Sequence, residues 1–207
     1  MKISKNAPVI PENFEGKSVD LDETVMEKNP EDAENTFNRA CARLLNPPIW
    51  HQLAGSLSAE FELQSPASEN PGRLAKLDDY IRINIPGPGN SAGDGYDWVK
   101  VEAIEENTLP DADTSFAIRL KSSANPAHLE KGTAHFFKGD ATSTFIVKKS
   151  GNKVMASYHG RNELPNTDGD FTDKIRNTVV ASGAALGLSE LHWKALLKGL
   201  LKKEIGG

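Results

Sequence analysis

Apolar residues return at every second position in the middle of the chain, and at every third or fourth position on either side of it. A period of two marks half-buried strands, and a period near 3.6 marks amphipathic helices. Ile81, Ile83 and Ile85 alternate with Tyr80, Arg82 and Asn84. Val99, Val101 and Ala103 alternate with Trp98, Lys100 and Glu102, and Phe116, Ile118 and Leu120 with Ala117, Arg119 and Lys121. Upstream, Ala59, Phe61 and Leu63 alternate with Glu60, Glu62 and Gln64. The run from Thr142 to Arg161 is a hairpin, because Ser150-Gly151-Asn152 supplies residues that tolerate positive φ. With either Ser150-Gly151 or Gly151-Asn152 as its two-residue loop, Phe145, Val147, Val154, Ala156 and Tyr158 share one face. Thr142, Thr144, Ser157, His159 and Arg161 share the other.

The helical periods lie outside this block. Asn29-Pro30-Glu31-Asp32 offers an N-cap, a proline suited to the first helical position and two acids for the helix dipole. Ala33, Phe37, Ala40, Cys41, Leu44 and Leu45 then form one stripe, and Asn46-Pro47-Pro48 stops it. A second short helix follows from Pro48 to Ala54, closed by Gly55. At the other end, helical period runs from Thr172 to about Leu186, breaks at Gly187, and resumes after a Ser189 cap to about Glu204. Trp193, Leu196, Leu197, Leu200 and Leu201 share one face of that last helix, with Lys194, Lys198 and Lys202 opposite. Residues 1–28 hold few large apolar side chains. They predict a loosely held acidic arm with a short extended piece at Val19 to Leu21.

Together these elements predict an α+β fold: a curved antiparallel sheet or small barrel of about six strands, with an N-terminal helix pair and C-terminal helices. The arm precedes a single domain at 29–207, with strands over about 56–163 and helices over about 172–204. This order resembles the helix-grip architecture of lipid- and small-molecule-binding proteins, which has an early helix pair, a run of strands and a terminal helix. Residues 79–161 alone also resemble a five-stranded SH3-like barrel. The first resemblance implies a ligand held between the sheet and the last helix.

Ile85 to Trp98, IPGPGNSAGDGYDW, tests one chemical reading. A glycine loop holds phosphate by ending at a helix N-terminus, where free amides and the dipole meet the anion. This one leads into a strand, lacks the G-x-G-x-x-G spacing and has no Lys-Ser/Thr after it, so it reads as a long connection between antiparallel strands.

Composition narrows the classes further. The chain has 207 residues, 38% of them hydrophobic and 26% charged, with no apolar run of spanning length and no secretory leader pattern, so a cytoplasmic location is expected. The lone Cys41 falls on a helix stripe and reads as an inert thiol. The net charge of −5 is concentrated at the start: residues 1–36 hold four lysines against nine acids. From Phe171 onward the balance turns basic, so an acidic end can dock on its own domain or on a partner.

If the isoleucine, valine and phenylalanine sets face the helices, the other sheet face carries Tyr80, Arg82, Trp98, Lys100, Arg119, Lys121, His159 and Arg161. Aromatics interleaved with cations suit protein hot spots, and this face with the glycine-rich loop predicts a non-enzymatic interaction module for a protein partner or another copy of the chain. A small-molecule-binding or hydrolytic domain is the alternative. Nucleic acid is disfavoured by the neutral charge outside the arm. Tyr158-His159-Gly160-Arg161-Asn162-Glu163 is the densest chemical cluster, with His159 as a base, Arg161 as an anion clamp and Glu163 as an acid partner. His128 and His135 lack paired ligands at metal spacing, and no metal or other cofactor is indicated. The closing Gly206-Gly207 pair is too little to indicate a conjugation tail.

Overall fold

The computed structural model describes residues 8–55, 59–64, 72–85, 90–108, 113–167 and 190–203. Its elements, in order, are β1 (Lys17–Met26), α1 (Pro30–Leu44), α2 (Trp50–Ala54), β2 (Glu60–Gln64), β3 (Tyr80–Asn84), β4 (Asp97–Thr108), β5 (Thr114–Ser122), β6 (Thr142–Ser150), β7 (Lys153–Glu163) and α3 (Glu190–Leu201). The seven strands form one antiparallel sheet in the order β1-β7-β6-β5-β4-β3-β2.

Two expectations change here. The acidic segment is not loose throughout, because its extended piece is a ten-residue edge strand paired along β7. The barrel reading also gives way: among the described residues β1 and β2 are free edges of an open sheet, and both belong to the same sheet as residues 79–161. Among the described residues the order strand, two helices, six strands, helix is similar to the helix-grip arrangement and unlike an SH3-like barrel. The first of the two expected C-terminal helices lies outside the described residues.

Local signals act as their chemistry dictates. Asn29 Oδ1 accepts from the Asp32 amide at 2.8 Å and caps α1. Ala33, Phe37, Ala40 and Leu44 are buried, and burial pushes the half-buried Cys41 thiol up to about 12, far from reactive. Gly55 closes α2 at φ +103, where only glycine is unstrained. The β6–β7 loop is Gly151-Asn152, since Ser150 pairs with Lys153.

The core lies between one sheet face and the helices. Trp50 packs on Phe61 and Phe145, with ring centres 5.1 and 5.3 Å apart. Tyr158 stacks on Trp193 of α3 at 5.1 Å and 15°. Leu196, Leu197 and Leu200 complete the α3 contact, and each is fully buried. Arg43 of α1 donates to the carbonyl oxygens of Gly199 and Leu200, both at 3.1 Å, satisfying groups that the end of α3 leaves open.

One alternation is interrupted. β4 and β5 slip register between Val101 and Ala103, so Ala103 pairs with Arg119 and Ile104 with Ile118. The bulge turns Ala103 to the outer face and brings Ile104 inward.

Candidate functional site

All eight candidates lie on the outer face, and strand register aligns several of them. Tyr80, Lys100, Lys121, Thr142 and Arg161 form one cross-strand row, and Arg119, Thr144, His159 and Asp20 another. Their charges are largely answered from within the chain. Arg82 pairs with Glu62, Lys100 with Asp78 at 2.7 Å, Arg119 with Glu102 at 2.7 Å and Lys121 with Asp140 at 3.4 Å. His159 and Arg161 share Asp20, at 2.6 and 2.7 Å. Trp98 is only 6% exposed, and its Nε1 donates to the Gly93 carbonyl beneath the loop turn Ser91–Gly93.

Residues 8–15 also lie on this face. Arg119 Nη1 donates to the carbonyl oxygens of Pro8 and Val9, at 3.2 and 2.9 Å. Asn162 Oδ1 accepts from the Phe14 and Glu15 amides, while its Nδ2 donates to the Glu12 carbonyl. Residues 8–15 therefore dock on their own domain, through backbone groups rather than through their charge. A cleft of about 270 Å³ opens at the β2 edge between Pro48, His51, Arg82 and Tyr96. Arg82 lies over the Tyr96 ring at 4.2 Å, so that cation is already held from two sides.

The helix-side face holds chemistry of a different kind. Tyr158 is fully buried, and its hydroxyl donates to Glu163 Oε1 at 3.1 Å. Ser143 Oγ lies 3.2 Å from the same hydroxyl. With Glu163 ionised and taking the tyrosine hydrogen, Ser143 donates to Tyr158, and the three side chains form one chain. Gly160 leaves room for it: a methyl group there would collide with Glu163 Oε1 and approach the Tyr158 oxygen to 3.1 Å. Burial raises the Glu163 pKa, as does nearby Glu190, and burial pushes Tyr158 well up. At the rim, Lys17 Nζ meets Glu190 Oε1 at 2.5 Å.

The cluster from Tyr158 to Glu163 is thus divided between two faces. Asn162 adopts φ +57, and β7 gains one residue on β1 between Gly160 and Glu163. That extra residue returns Glu163 to the Tyr158 side, while His159 and Arg161 stay outside. Glu163 is therefore no acid partner for His159; Asp20 fills that place. Ser143 was legible as a hydroxyl at the inward parity of its strand, two positions before Phe145. Asp20 was not, because only cross-strand pairing brings it to His159.

No family model and no curated protein matches the chain. Similar solved structures include norcoclaurine synthase from Thalictrum flavum in complex with dopamine and hydroxybenzaldehyde, at 9% identity over 89% of this chain and 84% of that one, with a TM-score of 0.39. Protein Ms6760 from Mycobacterium smegmatis is similar at 12% identity over 89% and 91%, with a TM-score of 0.40. A STAR-related lipid transfer protein from Xanthomonas axonopodis is similar at 14% identity over 88% and 86%, with a TM-score of 0.39. All three superpose loosely, and the function of this chain rests on its own residues.

Proposed function

We propose that this protein binds a small, largely apolar molecule between the helix-side face of the sheet and α3, with Ser143, Tyr158 and Glu163 as the polar handle. The observation that carries this reading is the hydrogen-bonded hydroxyl, hydroxyl and carboxyl chain set beside the aromatic side chains of Phe145 and Trp193. Burying a carboxyl disfavours its charge, so a fold that needed only packing would place an apolar side chain there. Such a group orients a ligand by one hydrogen bond while the surrounding aromatic side chains supply contact area. The outer face is less suited to a partner, because its cations are paired within the chain and its edge carries residues 8–16.

Trp193 reports directly on the site, since it stacks on Tyr158. Titration with N-phenyl-1-naphthylamine, a neutral apolar amine with one N–H donor, should quench tryptophan emission saturably at one molecule per chain. Tyr158→Phe, which keeps the ring and removes the hydroxyl, should weaken binding by about tenfold, the value of one hydrogen bond. Absence of saturable binding, or binding unchanged in both Tyr158→Phe and Glu163→Leu, would overturn the assignment.

A further inference from the structure

Three residues on the outer face form a second hydrogen-bonded chain, separated from the first by the sheet itself. Asp20 Oδ1 lies 2.6 Å from His159 Nδ1, and His159 Nε2 lies 3.0 Å from Ser157 Oγ. Register explains the meeting: Asp20 is the cross-strand partner of His159, and Ser157 precedes His159 by two positions on the same strand face. Arg161 Nη2 donates to Asp20 Oδ1 at 2.7 Å and fixes the carboxylate from the other side.

This connectivity determines where the protons sit. The Arg161 hydrogen bond, with a smaller contribution from His159, holds the Asp20 carboxyl below its usual range, so at neutral pH it only accepts. The His159 nitrogen facing it must carry the hydrogen. A neutral imidazole in that tautomer has its lone pair on Nε2, pointed at Ser157 Oγ, which then donates. A hydroxyl, an imidazole and a carboxylate in this order are the parts by which a serine oxygen loses its proton as it attacks.

We propose that Ser157 is an activated nucleophile that takes an acyl group from small activated esters, with His159 as general base and Asp20 holding its tautomer. In the step, the bond from Ser157 Oγ to the acyl carbon forms and the ester bond to the leaving oxygen breaks. The hydroxyl proton passes to His159 Nε2 and from there to the departing oxygen. Ser157 is 4% exposed, which restricts it to small acyl donors. β7 is laddered on both sides, to β1 and β6, so its amides are engaged and do not form an oxyanion hole over Ser157. Both acylation and its reversal by water go without that stabilisation, and the acyl-serine, an alkyl ester with a poorer leaving group than the activated donor, accumulates instead of turning over.

The test incubates the full chain with p-nitrophenyl acetate at pH 7.5 and maps acetylated peptides by mass spectrometry against time. One acetyl group should appear on Ser157, at a rate at least about 100-fold above that of the same serine in urea-unfolded protein, as positioned base catalysis provides. His159→Gln should lower the folded rate by a similar factor, and Ser157→Ala should abolish that adduct. No adduct on Ser157, or a rate equal in folded and unfolded protein, would overturn the proposal without any variant. A rate unchanged by His159→Gln in a protein of native circular dichroism would also overturn it.

Discussion

His192 makes the stability of this protein sensitive to mild acid. Its ring is buried on α3, edge-on to Trp193 at 5.1 Å and stacked over Phe61 at 6.5 Å, and burial lowers its pKa from 6.5 to about 4. The unfolded chain takes up a proton there as pH falls through 6.5, whereas the folded protein does so only near 4. Its full contribution is thus present above pH 6.5 and is lost between 6.5 and 4. At about 1.4 kcal/mol for each pH unit crossed, that is about 3 kcal/mol. Glu163 acts in the opposite sense, because its raised pKa lets the folded state bind a proton first and recover some stability on acidification. Comparing wild type with His192→Leu separates the two, since Glu163 is present in both. Urea unfolding at intervals from pH 7.5 to 4 should show the variant losing less stability than wild type across that window, by about 3 kcal/mol in total. Equal slopes in the two proteins would refute the assignment of that acid sensitivity to His192.

Two further substitutions test how the elements are held. Gly199→Ala should destabilise by about 1–3 kcal/mol, although alanine normally strengthens a helix, because the added methyl group lies 2.5 Å from the Leu53 carbonyl oxygen and 2.8 Å from its Cβ. A melting temperature at or above that of wild type would show that α2 and α3 separate freely. Asn162→Gly keeps the positive φ but removes the bonds to Glu12, Phe14 and Glu15, so it should lose about 1–3 kcal/mol and speed amide exchange over residues 12–16. Unchanged exchange there would mean that other contacts hold the segment.

The parts of the fold that follow one period were legible, and those that break a period were not. Ile81, Phe116, Phe145 and Val154 all fall inside as their alternation requires. In β1 few large apolar residues mark the strand, and its inward series Val19, Leu21, Glu23, Val25 contains an acid, so the sequence supports only the extended piece at Val19 to Leu21. The structure accounts for that acid: Glu23 lies 3.8 and 3.7 Å from Lys194 and Lys198 of α3, so a charge on the core-side parity is met by cations of the covering helix. An edge strand covered by a basic helix thus looks polar to any test of alternation made on the strand alone. The bulge near Glu102 is hidden for a related reason, since Ala103 is small enough to suit either face.

The division of the Tyr158–Glu163 cluster follows from the same physics and decides where the chemistry lies. In a regular strand His159, Arg161 and Glu163 would share a face, and a base, a clamp and an acid would stand in one row. One left-handed residue at Asn162 removes the acid from that row and delivers it to the buried Tyr158 hydroxyl. The vacated role goes to Asp20, on a strand that begins more than a hundred residues earlier in the chain. The sheet consequently carries two hydrogen-bonded chains back to back, each with a carboxyl at one end. Their carboxyls are shifted in opposite directions, Glu163 upward by burial and Asp20 downward by Arg161. A carboxyl whose charge is disfavoured suits a polar handle inside an apolar site. One whose charge is secured suits the orientation of an imidazole, and the single irregular residue keeps these two environments apart.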